Sequence, residues 1–354
     1  MKVGSRWLLL ALVNLLWMLG LVAGGELFLR VRHSPRYAPR PPFDMLHPTQ
    51  IFANRPGLHH TYYGADFHLH ITTDDWGNRL DTLGAPAPEH GLVLLVGDSY
   101  TFGWGVSDDD TFAAALNQQL RPQGLAVVNL GVPGFSTLAM AQRLREYLAT
   151  IDPRRVRAIA VFHSDNDAVD NVLYLLYQNR FQEPFCRPWS AHTPSHLLNW
   201  ALSKIYRPPG AGWQLGRSGA LQYRGRNYGQ FEKLDLKSET DVLAGREKSS
   251  YTALQKELLR QGLLELNQLC PAGALIHHFV LYLGPHSGAT EKAFAECYPP
   301  PSPGVVVHGL IPLYGWPAEQ PVHNAHRGGH YTPEFNRFLA SYLEGKLSHR
   351  PLAP

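Results

Sequence analysis

A serine inside a glycine-rich turn is the most reactive feature of this sequence. Residues 96–105 read VGDSYTFGWG, and the apolar run Gly91–Val96 before them predicts a strand buried on both faces. Ser99 is therefore expected just past the carboxyl end of a strand, where open α/β sheets bind ligands. A serine hydroxyl is a weak nucleophile that needs a nearby base and donors for a developing oxyanion. Taken alone, a Gly-Asp-Ser segment is also typical of an ordinary turn.

Other polar residues follow the next predicted strands or precede the last predicted helix. The segment VVNLGVPGFST puts Gly134 after the second strand, with Gly131 as a competing glycine. The segment VFHSDNDAVDN puts Asn166 after the third strand, and GGHYTPEFNRFLASYL puts His330 just ahead of the final helix. Donor groups could stabilise an oxyanion, and an imidazole could accept the proton of a serine. Asn166 and His330 could instead cap the helices that follow them.

Together these segments resemble the four sequence blocks of the SGNH (GDSL-like) hydrolase superfamily, which supply Ser, Gly, Asn and His in this chain order. The resemblance implies that Ser99 is the nucleophile and that His330 takes its proton and returns it to the leaving alcohol. It implies an oxyanion hole formed by the backbone N–H groups of Ser99 and Gly134 and the side-chain amide of Asn166. No metal or organic cofactor is expected.

The resemblance covers residues 70–345 and leaves the segment 180–248 unmatched. It implies a flavodoxin-like three-layer α/β sandwich with a parallel sheet. The implied activity is that of a serine esterase or O-acyltransferase acting on ester-linked acyl groups of cell-envelope glycan or lipid, with acetyl as the favoured group. Hydrolysis and acyl transfer stay open, as does the identity of the substrate.

One position departs from the pattern of that family. The histidine is usually preceded, three residues earlier, by an aspartate that orients the imidazole. Here that position is Arg327, and no acid lies between Gln320 and Tyr331. The site is then a Ser-His dyad, a triad whose third member comes from elsewhere, or a site that has lost its activity. The last case gives an alternative function, a binding or assembly protein of the envelope that keeps the fold.

The elements that must position these residues alternate regularly along the chain, which indicates βαβ units and a parallel sheet with helices on both faces. Predicted strands cover 91–96, 126–132, 156–162, 274–283 and 304–311, and predicted helices cover 110–120, 137–150, 168–177, 250–269 and 333–347. We expect an α/β domain over 61–350, an insertion at about 180–248 and a linker over 33–60.

The N-terminus predicts a membrane segment over residues 1–32. An apolar run from residue 7 to Gly25 follows Lys2 and Arg6 and has about 19 residues, close to the ~20 that cross a bilayer core. That length exceeds the roughly 7–15 apolar residues of a signal peptide, so we favour an uncleaved anchor. A cleaved signal is the alternative, because small residues lie at 22–24.

The side of the membrane on which the α/β domain lies is implied by the resemblance and not by the distribution of charge. Arginines flank the apolar run on both sides, so the positive-inside rule does not orient it. The segments GELFLR and ITTDDWGNRLDT are similar to those of bacterial envelope members with an N-terminal anchor. This implies a single-pass inner-membrane protein whose catalytic domain faces the periplasm or the cell exterior.

Composition excludes several other functions. A 44% hydrophobic and 17% charged chain of 354 residues is typical of a globular protein. The net charge of +3 is small and the basic residues are scattered, so nucleic acid is not an expected partner. The spacing of His323, His326 and His330, with no adjacent acid, does not predict a metal site. Three cysteines (186, 270 and 297) leave one disulfide or three free thiols open.

Overall fold

The structure is a computed structural model of the chain. It describes residues 3–37, 44–47, 49–63, 68–168, 170–171, 174, 195–205, 213–215, 220–223, 226–230, 253–283, 287–300, 302–323 and 330–348. The strands in this part of the chain are β1 (Asp44–His47), β2 (Ile51–Asn54), β3 (His59–Tyr63), β4 (His68–Thr72), β5 (Gly91–Val96), β6 (Leu125–Asn129), β7 (Val156–His163), β8 (Trp213–Leu215), β9 (Ala220–Tyr223), β10 (Arg226–Gln230), β11 (Leu275–Val280) and β12 (Val305–Leu310). The helices are α1 (Val3–Tyr37), α2 (Ser99–Phe102), α3 (Phe112–Leu120), α4 (Thr137–Leu148), α5 (His196–Ile205), α6 (Ala253–Gln268), α7 (Ser287–Cys297) and α8 (Pro333–Leu347).

Five of the strands form one parallel sheet in the order β12-β11-β7-β5-β6. Counted along the chain and read from β6, this is the order 2-1-3-4-5 of flavodoxin-like folds. The winding direction reverses between β5 and β7, and sheets of this class bind ligands in the crevice at the carboxyl ends of those two strands. The expected flavodoxin-like sandwich with a parallel sheet is thereby confirmed.

Strand β5 shows why an unbroken apolar run was needed at this position. Leu92, Leu94 and Val96 pack into a core shared with helices α4 and α6. Val93 and Leu95 point to the opposite face, into a core shared with α3 and α8. Because both faces of the sheet are covered by helices, successive side chains of a central strand must all be apolar.

Local hydrogen bonds explain where two elements differ from their expected bounds. The helix expected from residue 110 begins at Phe112, because the Thr111 hydroxyl caps it by accepting from the N–H of Ala114 (3.0 Å). The strand expected to reach residue 132 ends at Asn129, whose side chain accepts from the N–H of Gly131 (3.0 Å) and so turns the chain. The final helix has the expected bounds, and helix α7 was not expected.

The N-terminal region contains more secondary structure than the expected linker. Helix α1 extends to Tyr37, and the antiparallel hairpin β1–β2 and the start of β3 follow within residues 33–60. Within α1, the stretch Trp7–Arg32 is long and apolar enough to cross a membrane, although a signal sequence would have the same features. Most of its large apolar side chains are exposed, whereas Leu29 is buried.

The expected insertion is described only in part. Helix α5 and a small antiparallel sheet of order β10-β9-β8 lie within it, and the rest of 180–248 lies outside the described residues. Of the helix expected over 168–177, the described positions are helical and the others lie outside the description. Cys270 and Cys297 are free thiols, whereas Cys186 is not among the described residues.

Candidate active site

Ser99 is the first residue of the short helix α2, directly after the turn that ends β5. The carboxylate of Asp98 caps this helix by accepting from the N–H of Tyr100 (2.9 Å). The first N–H groups of a helix have no partner within the helix, so the N–H of Ser99 is not used by α2 itself. The half-buried hydroxyl and this N–H are therefore both held at the carboxyl edge of the sheet.

His330 meets Ser99 from the far end of the chain. Its Nε2 atom lies 2.7 Å from the Ser99 hydroxyl oxygen, across a separation of 231 residues. Two neighbours fix the backbone beside it: Tyr331 is buried and donates to the carbonyl of Tyr282 (3.0 Å), and the Thr332 hydroxyl caps α8. The histidine is thereby held at the start of a well-anchored helix, within proton-transfer distance of the serine.

The ring of His330 is packed against Tyr100, the residue that follows the serine. The two ring centroids lie 4.6 Å apart with an interplanar angle of 30°, a stacked arrangement. Tyr331 and His323 pack against Tyr100 edge-on, with centroids at 5.0 and 6.5 Å. These contacts restrict the imidazole plane, and Tyr100 is a positioning residue that the sequence motif alone did not reveal.

The hydrogen bonds in the loop after β6 distinguish the two candidate glycines. Val132 and Phe135 are joined by a hydrogen bond of 3.1 Å around Pro133 and Gly134, whose φ is +80°. Proline followed by a glycine of positive φ is the signature of a type II turn, whose hydrogen bond leaves the N–H of Gly134 unused by the turn. The N–H of Gly131 is instead donated to the Asn129 side chain.

Gly131 has a packing role that explains its type. A Cβ atom at this position would lie 2.4 Å from the backbone nitrogen of Phe102, so only glycine allows the loop to approach helix α2. Of the two glycines, Gly134 is the one whose exposed N–H can serve a ligand.

Asn166 lies in the loop after β7, on the other side of the switch point from Ser99. Its Nδ2 atom donates to Asp170 (2.5 Å), and its Oδ1 atom lies 2.5 Å from the Ser164 hydroxyl. A side-chain amide carries two N–H donors, so one contact with Asp170 leaves the second for another acceptor. The backbone carbonyl of Asn166 accepts from the N–H of Asp170, in the manner of a helix cap (2.8 Å).

Ser164 joins the loop after β7 to the helix that carries Ser99. Besides Asn166, its hydroxyl lies within hydrogen-bond distance of Asp98 Oδ2 (2.7 Å) and Asp167 Oδ1 (2.9 Å). A hydroxyl has a single proton to donate, so Ser164 can serve only one of these three acceptors at a time, and two carboxylates so close together disfavour each other's charge. Sequence reasoning missed this residue because its partners come from different blocks.

Burial dominates the electrostatics of these acids. It raises the pKa of Asp98 to about 7, with the charge of Asp167 acting in the same direction. Burial also raises the pKa values of Asp167 and Asp170 well above the ordinary range. These acids therefore hold a proton more readily than exposed carboxylates do, and Ser164 has one proton to donate among its three neighbours.

A pair of histidines continues this polar chain into the protein interior. His163 Nδ1 lies 3.3 Å from Asp167, and His163 Nε2 lies 2.9 Å from His278 Nδ1. Burial lowers the pKa of His163 to about 3, so its contact with Asp167 is a hydrogen bond of a neutral ring and not an ion pair. His278 is bonded in turn to Asn267 (2.7 Å).

The structure describes only some of the residues near His330 that the sequence analysis considered. His323 is half-buried, and an isolated bridge pairs its backbone with that of Tyr331. His326 and Arg327 lie outside the described residues, so the position at which the family pattern has its aspartate is among those not described.

Comparison with known proteins gives fold-level likeness only. No family model and no curated protein matches the chain. The solved structures to which it is similar include TesA, with 15% identity, a TM-score of 0.37 and coverage of 72% of this chain and 97% of that one. AlinE4, described as an SGNH-hydrolase family esterase, has 16% identity, a TM-score of 0.33 and coverage of 75% and 100%.

A third solved structure is a putative lipolytic protein of the G-D-S-L family from Desulfitobacterium hafniense DCB-2. It has 10% identity, a TM-score of 0.34 and coverage of 72% of this chain and 99% of that one. These descriptions name the family that the sequence motifs resemble. At such TM-scores the interpretation of the site rests on the geometry given above.

Proposed function

We propose that the chain is a serine esterase or O-acyltransferase of the SGNH type, with Ser99 as its nucleophile and His330 as its general base. The observation that carries the proposal is the 2.7 Å separation between the Ser99 hydroxyl and His330 Nε2 at the carboxyl edge of the parallel sheet. A nucleophile and a base within hydrogen-bond reach, in the crevice where such sheets bind ligands, are the minimum for covalent acyl transfer.

In the acylation step, the Ser99 oxygen attacks the ester carbonyl carbon while its proton passes to His330 Nε2. The carbonyl oxygen becomes an oxyanion, which accepts from the N–H groups of Ser99 and Gly134 and from the side-chain amide of Asn166. Collapse of this intermediate breaks the bond to the alcohol, and the leaving oxygen takes the proton from His330. The product is an acyl ester on Ser99.

Deacylation repeats these steps with a second hydroxyl compound. Water attacks the acyl-serine in a hydrolase, and a sugar or lipid hydroxyl does so in a transferase. His330 removes the proton of the attacking group and returns it to the Ser99 oxygen. We propose acyl groups of cell-envelope glycan or lipid, acetyl above all, as the groups that are moved, and no metal or organic cofactor takes part in these steps.

The proposed location is the inner membrane, with the α/β domain in the periplasm or outside the cell. The apolar stretch Trp7–Arg32 supports an anchor, and the resemblance of GELFLR and ITTDDWGNRLDT to segments of envelope members supports export. Carbonate extraction of membranes and protease treatment of spheroplasts test this placement. Protection of the domain from the protease would argue against an envelope substrate.

The decisive experiment uses a fluorophosphonate probe, which reacts only with an activated serine. Wild-type protein should be labelled, and Ser99→Ala and His330→Ala should not be, with their melting temperatures unchanged. Ser136→Ala is the matched control, because Ser136 caps helix α4 and should remain dispensable for labelling. Labelling that survives in Ser99→Ala would exclude Ser99 as the nucleophile.

The alternative is a binding or assembly protein that has the fold without the turnover. Its support is the arginine at position 327, where the family pattern has an aspartate. The amide of Asn166 is also engaged with Asp170. Absence of labelling and of turnover across a broad panel of aryl and sugar esters would favour this alternative.

A further inference from the structure

Glu26 marks the end of the uncharged part of helix α1. Between Arg6 and this residue the chain contains no charged side chain, and residues 7–25 would span about 28 Å as a helix. That length matches the hydrocarbon thickness of a bilayer, about 30 Å. If α1 is an anchor, Glu26 therefore lies at the boundary between acyl chains and headgroups. Arg30 donates to it (2.8 Å) and is itself exposed on the headgroup side.

The carboxylate of Glu26 holds the beginning of helix α5. It accepts from the backbone N–H groups of His196 (2.9 Å) and Leu197 (2.8 Å) and from the hydroxyl of Ser195 (2.8 Å). An acid at a helix N-terminus satisfies N–H groups that have no partner within the helix and interacts favourably with the helix dipole. The side chain of Leu197 packs beside Gly25, 3.5 Å from where a Cβ atom would lie.

Helix α5 also exposes large apolar side chains close to this attachment. Leu198 is 47% exposed and Trp200 is 39% exposed. A helix of ten residues is about 15 Å long, so every residue of α5 stays within that distance of its attachment to Glu26. Exposed apolar side chains within this distance of the bilayer boundary can reach the membrane interface.

We infer that α5 lies at the membrane surface, where its exposed Leu198 contacts the lipid headgroup layer, with Glu26 as the link that keeps α5 next to the bilayer. This rests on the proposed role of α1 as an anchor and is independent of the chemistry at Ser99. The occupant of this exposed apolar surface is the bilayer, because Glu26 attaches α5 to the proposed anchor. The chain continues from the loop of Asn166 into the insertion that carries α5. One segment of chain therefore joins the candidate site to the membrane surface.

The test places the photo-crosslinker p-benzoyl-phenylalanine in the full chain, reconstituted in phosphatidylcholine and phosphatidylglycerol vesicles with a fluorescent lipid. Probes are placed at Leu198, at Trp17 within α1, and at Leu83, which is 46% exposed and therefore matches Leu198. We expect lipid adducts at positions 17 and 198, with labelling several-fold stronger at 198 than at 83. Fluorophosphonate labelling of Ser99 should be the same in all three proteins, which separates this test from that of the proposed function.

Glu26→Ala should lower lipid labelling at position 198 several-fold and leave labelling at position 17 unchanged, because the link to α5 is lost while the anchor stays inserted. Labelling at 17 with none at 198 would overturn the inference. Crosslinks from 198 to a second copy of the chain, in place of lipid, would overturn it in favour of a protein interface. An absence of lipid adducts at position 17 would remove its premise, the anchor itself.

Discussion

The guanidinium of Arg79 donates a 2.6 Å hydrogen bond to the carbonyl oxygen of Gly103, the residue that ends the helix beginning at Ser99. Arg79 is buried, and each of its five N–H groups has an acceptor, the number that a guanidinium offers. The other acceptors are the carbonyls of His70, Phe102 and Val106 and the carboxylate of Asp108. The arginine thus ties the helix that begins at Ser99 to hairpin β3–β4 and to the loop that follows α2.

This arrangement predicts that Arg79→Lys is not a conservative change. A lysine has three donors, so at least two of the five acceptors lose their partners, and the buried pair with Asp108 is weakened. We expect a loss of about 3 kcal/mol in the free energy of unfolding, measured by urea denaturation, and a lower kcat for aryl esters. Arg154→Lys is the control, because Arg154 forms an exposed surface pair with Asp152 and should have little effect. An unchanged urea midpoint for Arg79→Lys would contradict the role given to Arg79.

The proposed oxyanion hole predicts a change in kcat with little change in KM. Asn166→Ala should lower kcat by about 10²–10³ with little change in KM, because the amide acts on charge that develops only in the transition state. Asn117→Ala is a matched control. Its buried amide bonds Asp81 and the N–H of Val127, so the change should cost stability but leave the kcat of the folded protein near normal. Equal kcat values for Asn166→Ala and wild type would exclude the amide as a donor.

The buried acids predict a stability that falls as pH rises. Because the pKa of Asp98 is raised to about 7 in the folded protein, from an ordinary value of 3.8, the folded state binds a proton that the unfolded state has lost between these values. The contribution of Asp98 to the free energy of unfolding is therefore fully present below about pH 4. It is lost as pH rises through about 7, which lowers the free energy of unfolding by up to about 4 kcal/mol. The raised pKa of Asp167 acts in the same direction.

Asp98→Asn removes this titration while keeping an oxygen for the N–H of Tyr100. Its new amide can donate to Ser164, which can then donate to Asp167. Melting temperatures between pH 5 and 8 should therefore fall less in Asp98→Asn than in wild type. The exposed acid Asp110 supplies the control, since Asp110→Asn should follow the wild-type curve. Parallel curves for Asp98→Asn and wild type would show that Asp98 does not titrate in this window.

The sequence predicted the sheet because its strands are unbroken apolar runs and its flanking helices have clear periodicity. Helix α7 was missed, since its segment SGATEKAFAEC contains few large apolar residues. Its stability depends on Phe294 and Cys297 packing against α6 and β11, contacts that only the folded chain reveals. Tertiary packing decides such short segments, and local sequence does not.

The candidate site, like the fold, was predicted from the sequence only in part. The block order led to Ser99 and His330, and the structure brings their side chains together. The roles of Tyr100, Arg79 and Ser164 depend on which backbone or ring lies opposite them, and Tyr100 and His330 are 230 residues apart in the sequence. No local pattern encodes such partners. Arg79 belongs to the segment ITTDDWGNRLDT, which resembles segments of envelope members of the family. The five hydrogen bonds of Arg79 give this segment a structural role.

The final prediction concerns the position three residues before His330, which is occupied by Arg327. Loss of the triad acid in a serine hydrolase can cost about 10⁴ in kcat, largely through the wrong tautomer of the histidine. In this chain, stacking on Tyr100 restricts the ring plane but cannot select the tautomer. We expect Arg327→Asp to raise esterase activity or leave it unchanged, and His330→Ala to abolish it, in initial-rate assays with a short-chain aryl ester. Arg327→Asn, which removes the charge without adding an acid, is the matched control. If Arg327→Asp and Arg327→Asn both destroy activity in folded protein, the arginine has its own role, such as binding an anionic substrate. If His330→Ala keeps full activity, the base is another residue, and His323 and His326 are the next to test.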